Sequence, residues 1–151
     1  SNLYYWSVNF ADNSMDSYVD SIADSERLPL FDGRMYSYDL NTNTSDELVH
    51  SLSDKDMFFI SPTEHGVVFY DPEKATLNIY NTNVKTLYNG EISGLITDDN
   101  NIYFSTDDDT VHRLNVITND LDIFIDGVNT IKGMDDKYVF NGDDCILIRN
   151  G

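Results

Sequence analysis

The sequence predicts an all-β protein made of short antiparallel strands. Among its 151 residues are 22 Asp and 16 Asn but only 5 Glu. Asp and Asn favour turns, whereas Glu favours helices. Short runs that alternate apolar and polar residues, separated by Asp, Asn or Gly, recur along the whole chain, and such runs indicate strands.

The chain repeats itself, and the repeat defines the predicted architecture. A first copy opens at Leu3 and resumes at Arg34, and three further copies occupy residues 67–90, 102–127 and 138–151. The last three copies begin 35 and 36 residues apart. Each contains an apolar-aromatic strand, an acidic turn, an alternating strand, a polar turn and a third strand, before a fourth strand leads onward. Four strands per ~36 residues predict β-propeller-like four-stranded antiparallel blades, about three and a half in one domain, residues 1–151.

An insertion at about residues 8–32 interrupts the first copy and matches no part of the other copies. Its apolar residues are compatible with a short helix or with an extended hairpin. An insertion in one repeat often lies on a binding face, although it can also simply cover an exposed edge. We therefore select Trp6, beside the insertion, and Tyr18 and Arg27, within it, as candidate ligand-binding residues.

Two motifs resemble a known family. LYYWS at Leu3 and IYFSTD at Ile102, each followed by an alternating strand, resemble the YWTD-type repeats of low-density-lipoprotein-receptor propellers. In style they are closest to a bacterial extracellular propeller family of unknown function. The resemblance implies a propeller fold and a secreted or cell-surface bacterial protein. The motif's Trp is present only at Trp6 and its Thr-Asp pair only at Thr106-Asp107, so the resemblance supports the fold far better than the function.

Composition excludes several classes of partner and site. Nine Lys and Arg against 27 Asp and Glu give a net charge of −18, which argues against nucleic acid and anionic bilayers as partners. No apolar run reaches the ~18 residues of a membrane-spanning helix, so no membrane insertion is expected. The single cysteine, Cys145, excludes an internal disulfide and a cysteine-based zinc site.

The acidic turns offer the only cofactor candidate, a calcium ion. Asp107, Asp108 and Asp109 are consecutive, and calcium prefers six to eight oxygen ligands. The spacing of an EF-hand loop is missing, and Asp also suits turns for structural reasons. We therefore predict no cofactor except this calcium site.

The predicted function is a non-catalytic extracellular binding module that recognises a protein or a glycan through propeller loops. No catalytic motif is present, so no catalytic residue is assigned and no enzyme is predicted. One alternative is a carbohydrate-active enzyme domain that uses carboxylates in a propeller funnel, which two carboxylates and an Arg in one pocket would favour. Another is a structural segment that closes a ring with a partner. Incomplete end blades predict a homo-oligomer or a larger parent chain.

Overall fold

In a computed structural model, the structure describes residues 1–11, 30–108, 110–126, 133–134, 138–141 and 144–147. Every regular element in these ranges is a β-strand, as the composition predicts. The strands are β1 Asn2–Phe10, β2 Phe31–Asp39, β3 Thr44–Ser53, β4 Ile60–Thr63, β5 Gly66–Asp71, β6 Thr76–Asn81, β7 Asn83–Asn89, β8 Gly94–Thr97, β9 Asn101–Ser105, β10 Thr110–Asn115, β11 Leu121–Asp126, β12 Gly133–Met134, β13 Tyr138–Asn141 and β14 Asp144–Leu147.

The strands form four antiparallel sheets in chain order. The first sheet is β1-β2-β3, the second β4-β5-β6-β7, the third β8-β9-β10-β11 and the fourth β12-β13-β14. The two middle sheets have the four strands that the repeat predicts, and the outer two have three among the described residues. The chain divides into two compact units, residues 1–60 with 70–74 and residues 61–69 with 75–151. The described part of the chain holds no helix with the length and hydropathy needed to cross a bilayer.

Paired strands occupy both ends of the segment assigned to the insertion. Phe10 in β1 lies opposite Phe31 in β2, and the Ala11 N–H donates to the Leu30 carbonyl over 2.8 Å. These residues are the two arms of a hairpin, one of the two forms considered for the insertion. Residues 12–29, which include the segment considered for a helix, lie outside the described residues.

The same β-bulge recurs in the first three sheets and marks the repeat. In each, the last strand contains one extra residue that is skipped by its pairing with the strand before it. The skipped residues are Leu48, Leu87 and Phe124, all large and apolar. The residue of the preceding strand that lies beside each bulge is fully buried; these residues are Met35, Leu77 and Val111. An extra residue at one fixed place pins the register of each hairpin.

Two hairpin turns, after β2 and after β10, share one conformation. Asn43 and Asn119 have positive φ angles of 55° and 61°. Each amide N–H donates over 2.9 Å to the carbonyl four residues earlier. Asn adopts this left-handed conformation more readily than most residues, which explains the recurring Thr-Asn pair in the polar turns.

In the second unit, neighbouring sheets touch through positions one repeat apart. The Ser61 and Thr97 hydroxyl oxygens are 2.6 Å apart, and these residues are separated by 36 positions. His65 Nε2 donates to Asn100 Oδ1 over 3.0 Å, across 35 positions. The Tyr88 ring lies 4.7 Å from the Phe104 ring, centroid to centroid. Two of these contacts join positions one repeat apart, so equivalent positions of consecutive sheets meet in this unit.

The first unit packs aromatic rings on one face of the first sheet. The Trp6 ring meets the Phe58 ring edge-on, with the centroids 5.1 Å apart. The Phe58 ring also lies so close to Gly33 that a Cβ atom there would fall 2.1 Å from it. Glycine at position 33 is therefore required by this contact and not by a turn.

Candidate binding groove

A polar groove lies on one face of the third sheet, at the end where β10 turns into β11. Six residues line it: Asn101, Arg113, Asn115, Thr118, Asp120 and Asp122. Directly paired residues of antiparallel strands project on the same face. Arg113 pairs with Asp122, and Asn115 with Asn101, so the register brings β9, β10 and β11 residues together. The groove volume is about 370 Å³, within the range of small-molecule sites.

Arg113 is held at one wall of the groove by a fork with Asp122. Its Nε donates to Asp122 Oδ1 over 3.1 Å, and its Nη2 donates to Oδ2. Its guanidinium carbon lies 5.5 Å from the centroid of the Phe124 ring. The hydrogen bond with Asp122 raises the pKa of Arg113, so the guanidinium is charged at every physiological pH.

Phe124, the bulge residue of β11, also contacts a second aromatic ring. The Tyr103 ring meets it edge-on, with the centroids 4.9 Å apart. The Tyr103 hydroxyl donates to Asp98 Oδ2 over 3.2 Å. Phe124 lies two positions after Asp122 on β11, so alternation along the strand places both side chains on the face of Arg113.

Several polar groups of the groove retain hydrogen-bonding capacity. Within the described ranges, the Asp120 carboxylate and Arg113 Nη1 make no hydrogen bond. The Thr118 hydroxyl accepts the Asp120 N–H over 3.3 Å, which leaves its own hydrogen for another acceptor. Asn115 Oδ1 is used by the turn, where it accepts the N–H of Ile117 and of Thr118. The groove therefore presents a positively charged donor, a negatively charged acceptor and a neutral hydroxyl side by side.

The residues selected from the sequence lie elsewhere. Trp6 is half-buried, and its indole N–H donates to the Phe59 carbonyl over 3.1 Å. It thus belongs to the aromatic packing of the first unit. Tyr18 and Arg27 lie outside the described residues.

Of the three consecutive aspartates predicted to bind calcium, two lie in the described part of the chain. Asp107 and Asp108 are exposed, and Asp109 lies outside the described residues. The Thr106 hydroxyl donates to Asp108, and this hydrogen bond lowers the pKa of the Asp108 carboxyl. In the described part of the chain, no three His, Cys, Asp or Glu side chains form a group that could hold a metal ion.

The sequence alone does not reveal the groove, because its residues are spread over 21 positions, from Asn101 to Asp122, and belong to three strands and a turn. Alternation along β10 does place Arg113 and Asn115 on one face. Alternation does not give the pairing register of the strands, and it is this register that brings Asp122 opposite Arg113 and Asn101 opposite Asn115. The sequence does show a polar turn from Thr118 to Asp120, but these residue types are typical of turns and do not by themselves indicate a binding site.

No protein-family model, curated protein or solved structure matches this chain.

Proposed function

We propose that this protein is a non-catalytic binding module and that the groove on the third sheet binds a neutral saccharide. The observation that carries the proposal is the set of unused groups in the groove: the Asp120 carboxylate, Arg113 Nη1 and the Thr118 hydroxyl. Vicinal sugar hydroxyls both donate and accept, so a carboxylate beside a guanidinium and a hydroxyl complements them. A cavity of about 370 Å³ is large enough for one or two sugar rings.

The surroundings of the groove favour a neutral ligand. A polyanion is disfavoured by the Asp120 and Asp122 carboxylates and by the net charge of −18. A small organic cation would meet the Arg113 guanidinium at the groove wall.

A carbohydrate-active enzyme is the second candidate, because one pocket contains two carboxylates and an arginine. Glycosidases use two carboxyl groups that flank the scissile bond, one of which donates a proton. Here both oxygens of Asp122 accept N–H groups of Arg113. Asp122 would have to break this fork before it could act as an acid or a nucleophile, so binding accounts better for the arrangement than catalysis.

The proposal is tested by NMR titration of the uniformly 15N-labelled chain with cellotriose, maltotriose and the trimer of N-acetylglucosamine. We expect the amide signals of Asn115, Thr118 and Asp122 to shift with at least one of them at about 10 mM or below. Asp120→Ala should weaken binding about tenfold or more, because it removes a charged acceptor. Incubation of the same sugars overnight, followed by chromatography, detects hydrolysis and so tests the enzyme alternative.

The first sheet supplies a matched control. Thr42 occupies the position in the β2–β3 turn that Thr118 occupies in the β10–β11 turn. Thr118→Val should weaken binding, whereas Thr42→Val should leave it unchanged. The proposal is wrong if none of the sugars shifts the groove signals, or if Asp120→Ala and Thr118→Val bind as tightly as the parent chain.

We further propose that the sheets are blades of a propeller and that the protein acts outside the bacterial cell or at its surface. The recurring bulge and the strand numbers of three, four, four and three support the blade assignment. The extracellular location is supported by the resemblance to extracellular propeller repeats. Secretion of a tagged full-length protein, followed by fractionation of the cells, tests the location.

A further inference from the structure

The first sheet presents an aromatic surface to solvent on the side opposite Trp6. We call it the tyrosine face; it consists of Leu3, Tyr5, Tyr36 and Tyr38, which pair directly across β1 and β2. Leu3 is 54% exposed and Tyr5 is 41% exposed. The Tyr5 and Tyr36 rings stack at 5.5 Å with an interplanar angle of 27°. An exposed patch of large side chains on a chain this acidic points to an interaction surface.

The third sheet contains the counterpart of this ring pair, and there it is covered. Phe104 and His112 pair directly across β9 and β10, with their rings stacked at 5.2 Å and 21°. The ring of Tyr88, from the neighbouring sheet, lies 4.7 Å from Phe104 and 6.3 Å from His112. Phe104 is fully buried as a result. The same ring pair thus serves as an inter-sheet surface within this chain.

The rim of the tyrosine face carries charges of both signs, although the chain as a whole is strongly acidic. Arg34 Nε lies 3.2 Å from Asp32 Oδ1, and Arg34 Nη1 lies 3.0 Å from Glu47 Oε2. His50 Nε2 lies 3.0 Å from the same Asp32 oxygen. The rim thus combines the cation of Arg34 and the imidazole of His50 with the carboxylates of Asp32 and Glu47. When two such rims meet, a cation of one copy can lie opposite a carboxylate of the other.

We propose that the tyrosine face is a dimerisation surface and that its occupant is the tyrosine face of a second copy of this chain. Two-fold dimers require a surface that is complementary to itself. A tyrosine-rich centre with a rim of mixed charge meets this requirement, and aromatic residues are enriched at the centres of protein interfaces. Packing of one sheet on another at about 10 Å would cover Tyr5 and Tyr36 much as Tyr88 covers Phe104.

The test is the mass of the full chain in solution, measured by light scattering on a size-exclusion column and by sedimentation velocity. At about 100 μM we expect twice the monomer mass, falling toward the monomer mass on dilution. Tyr5→Lys should give the monomer mass at every concentration, because it places two ammonium groups against each other across the two-fold axis. Leu3→Lys provides a second variant at an exposed position if Tyr5→Lys does not fold.

A matched control distinguishes this surface from general stickiness. Ile123 is 64% exposed on a strand of the third sheet, so Ile123→Lys removes a comparable apolar side chain elsewhere. It should leave the dimer intact, and far-ultraviolet circular dichroism should show that all variants are folded. A parent chain that stays monomeric at about 100 μM, a dimer that survives in folded Tyr5→Lys, or an assembly larger than a dimer would each overturn the proposal.

Discussion

The first and third sheets present the same pair of stacked rings in two different settings. In the third sheet the pair is Phe104 and His112, and Tyr88 covers it. In the first sheet the pair is Tyr5 and Tyr36, and Tyr5 is 41% exposed. Both members of this pair are tyrosines, whose hydroxyl groups tolerate water, whereas the fully buried ring of the third sheet, Phe104, has no polar group. The comparison shows how one backbone pattern serves as core or as surface through single substitutions.

Other features do not differ between the two sheets. Both have the bulge on their last strand and a fully buried residue beside it, Met35 in one and Val111 in the other. Both close the hairpin that carries this bulge with an Asn at positive φ. The hairpin is therefore the element that recurs in both sheets. The two sheets differ in whether another ring covers the stacked pair.

Loss of the covered ring should have the largest effect on stability. Phe104→Ala should lower the free energy of unfolding by about 3–5 kcal/mol, because it removes a fully buried ring and leaves a cavity. Tyr5→Ala should cost about 1 kcal/mol or less under dilute conditions, because much of that ring is already in water. Urea denaturation followed by circular dichroism measures both. Equal costs would contradict the distinction between a covered and an open ring pair.

The next largest effect is expected at Asp71, the last residue of β5, whose carboxylate contacts Ser51 of β3. The carboxylate of Asp71 is almost fully buried and accepts the Ser51 hydroxyl over 2.7 Å and the Glu73 N–H over 3.1 Å. Asp71→Ala should cost about 2–3 kcal/mol, because it leaves these donors without an acceptor in a dry site. Asp71→Asn keeps an acceptor oxygen and should cost less. A cost near zero for Asp71→Ala in urea denaturation would show that water replaces the carboxylate.

The two equivalent turns offer a smaller and more exacting comparison. Asn43→Ala and Asn119→Ala should each cost about 1 kcal/mol, since alanine is strained at positive φ. Asn43→Gly and Asn119→Gly should be close to neutral, because glycine adopts this conformation freely. Thermal unfolding of the four variants measures the effect. A clear difference between the two Ala variants would contradict the structural equivalence of the turns.

The smallest effect is a pH dependence at the rim of the tyrosine face. Partial burial of Asp32 raises the pKa of its carboxyl, but hydrogen bonds and charges from Arg34 and His50 outweigh this and lower it overall. A carboxyl with a lower pKa in the folded chain stabilises the fold above about pH 4, and this stabilisation is lost as the pH falls through the folded value. Asp32→Asn should therefore destabilise the chain at pH 7 and not at pH 2.5.

Melting temperatures of the parent chain and of Asp32→Asn at pH 7 and about pH 2.5 measure this difference. The experiment also bears on the dimer, because Asp32 is part of the mixed-charge rim. If the gap between the two chains is the same at both pH values, the carboxyl of Asp32 does not have the lowered pKa that its contacts produce.

The all-β class, the repeat and the four strands of each middle sheet follow from the sequence, because turn residues and alternation are local signals. Alternation also predicts that Val111, Arg113 and Asn115 share a face. It does not predict the bulge at Phe124, which is an extra residue that the partner strand determines. Nor does it give the register that brings Arg113 to Asp122, so the groove emerges only in three dimensions. The selection of Trp6 rested on its place beside the insertion, and its hydrogen bond to Phe59 follows from tertiary packing.

The contacts between positions one repeat apart have a consequence for how such a chain can evolve. Ser61 meets Thr97 across 36 positions, and His65 meets Asn100 across 35. An interface made from equivalent positions is regenerated whenever the coding segment for one repeat is duplicated in frame. Gain or loss of a whole repeat then leaves each remaining junction chemically intact, whereas a gain of half a repeat does not. Chain length in proteins of this design is therefore expected to vary in steps of about 36 residues.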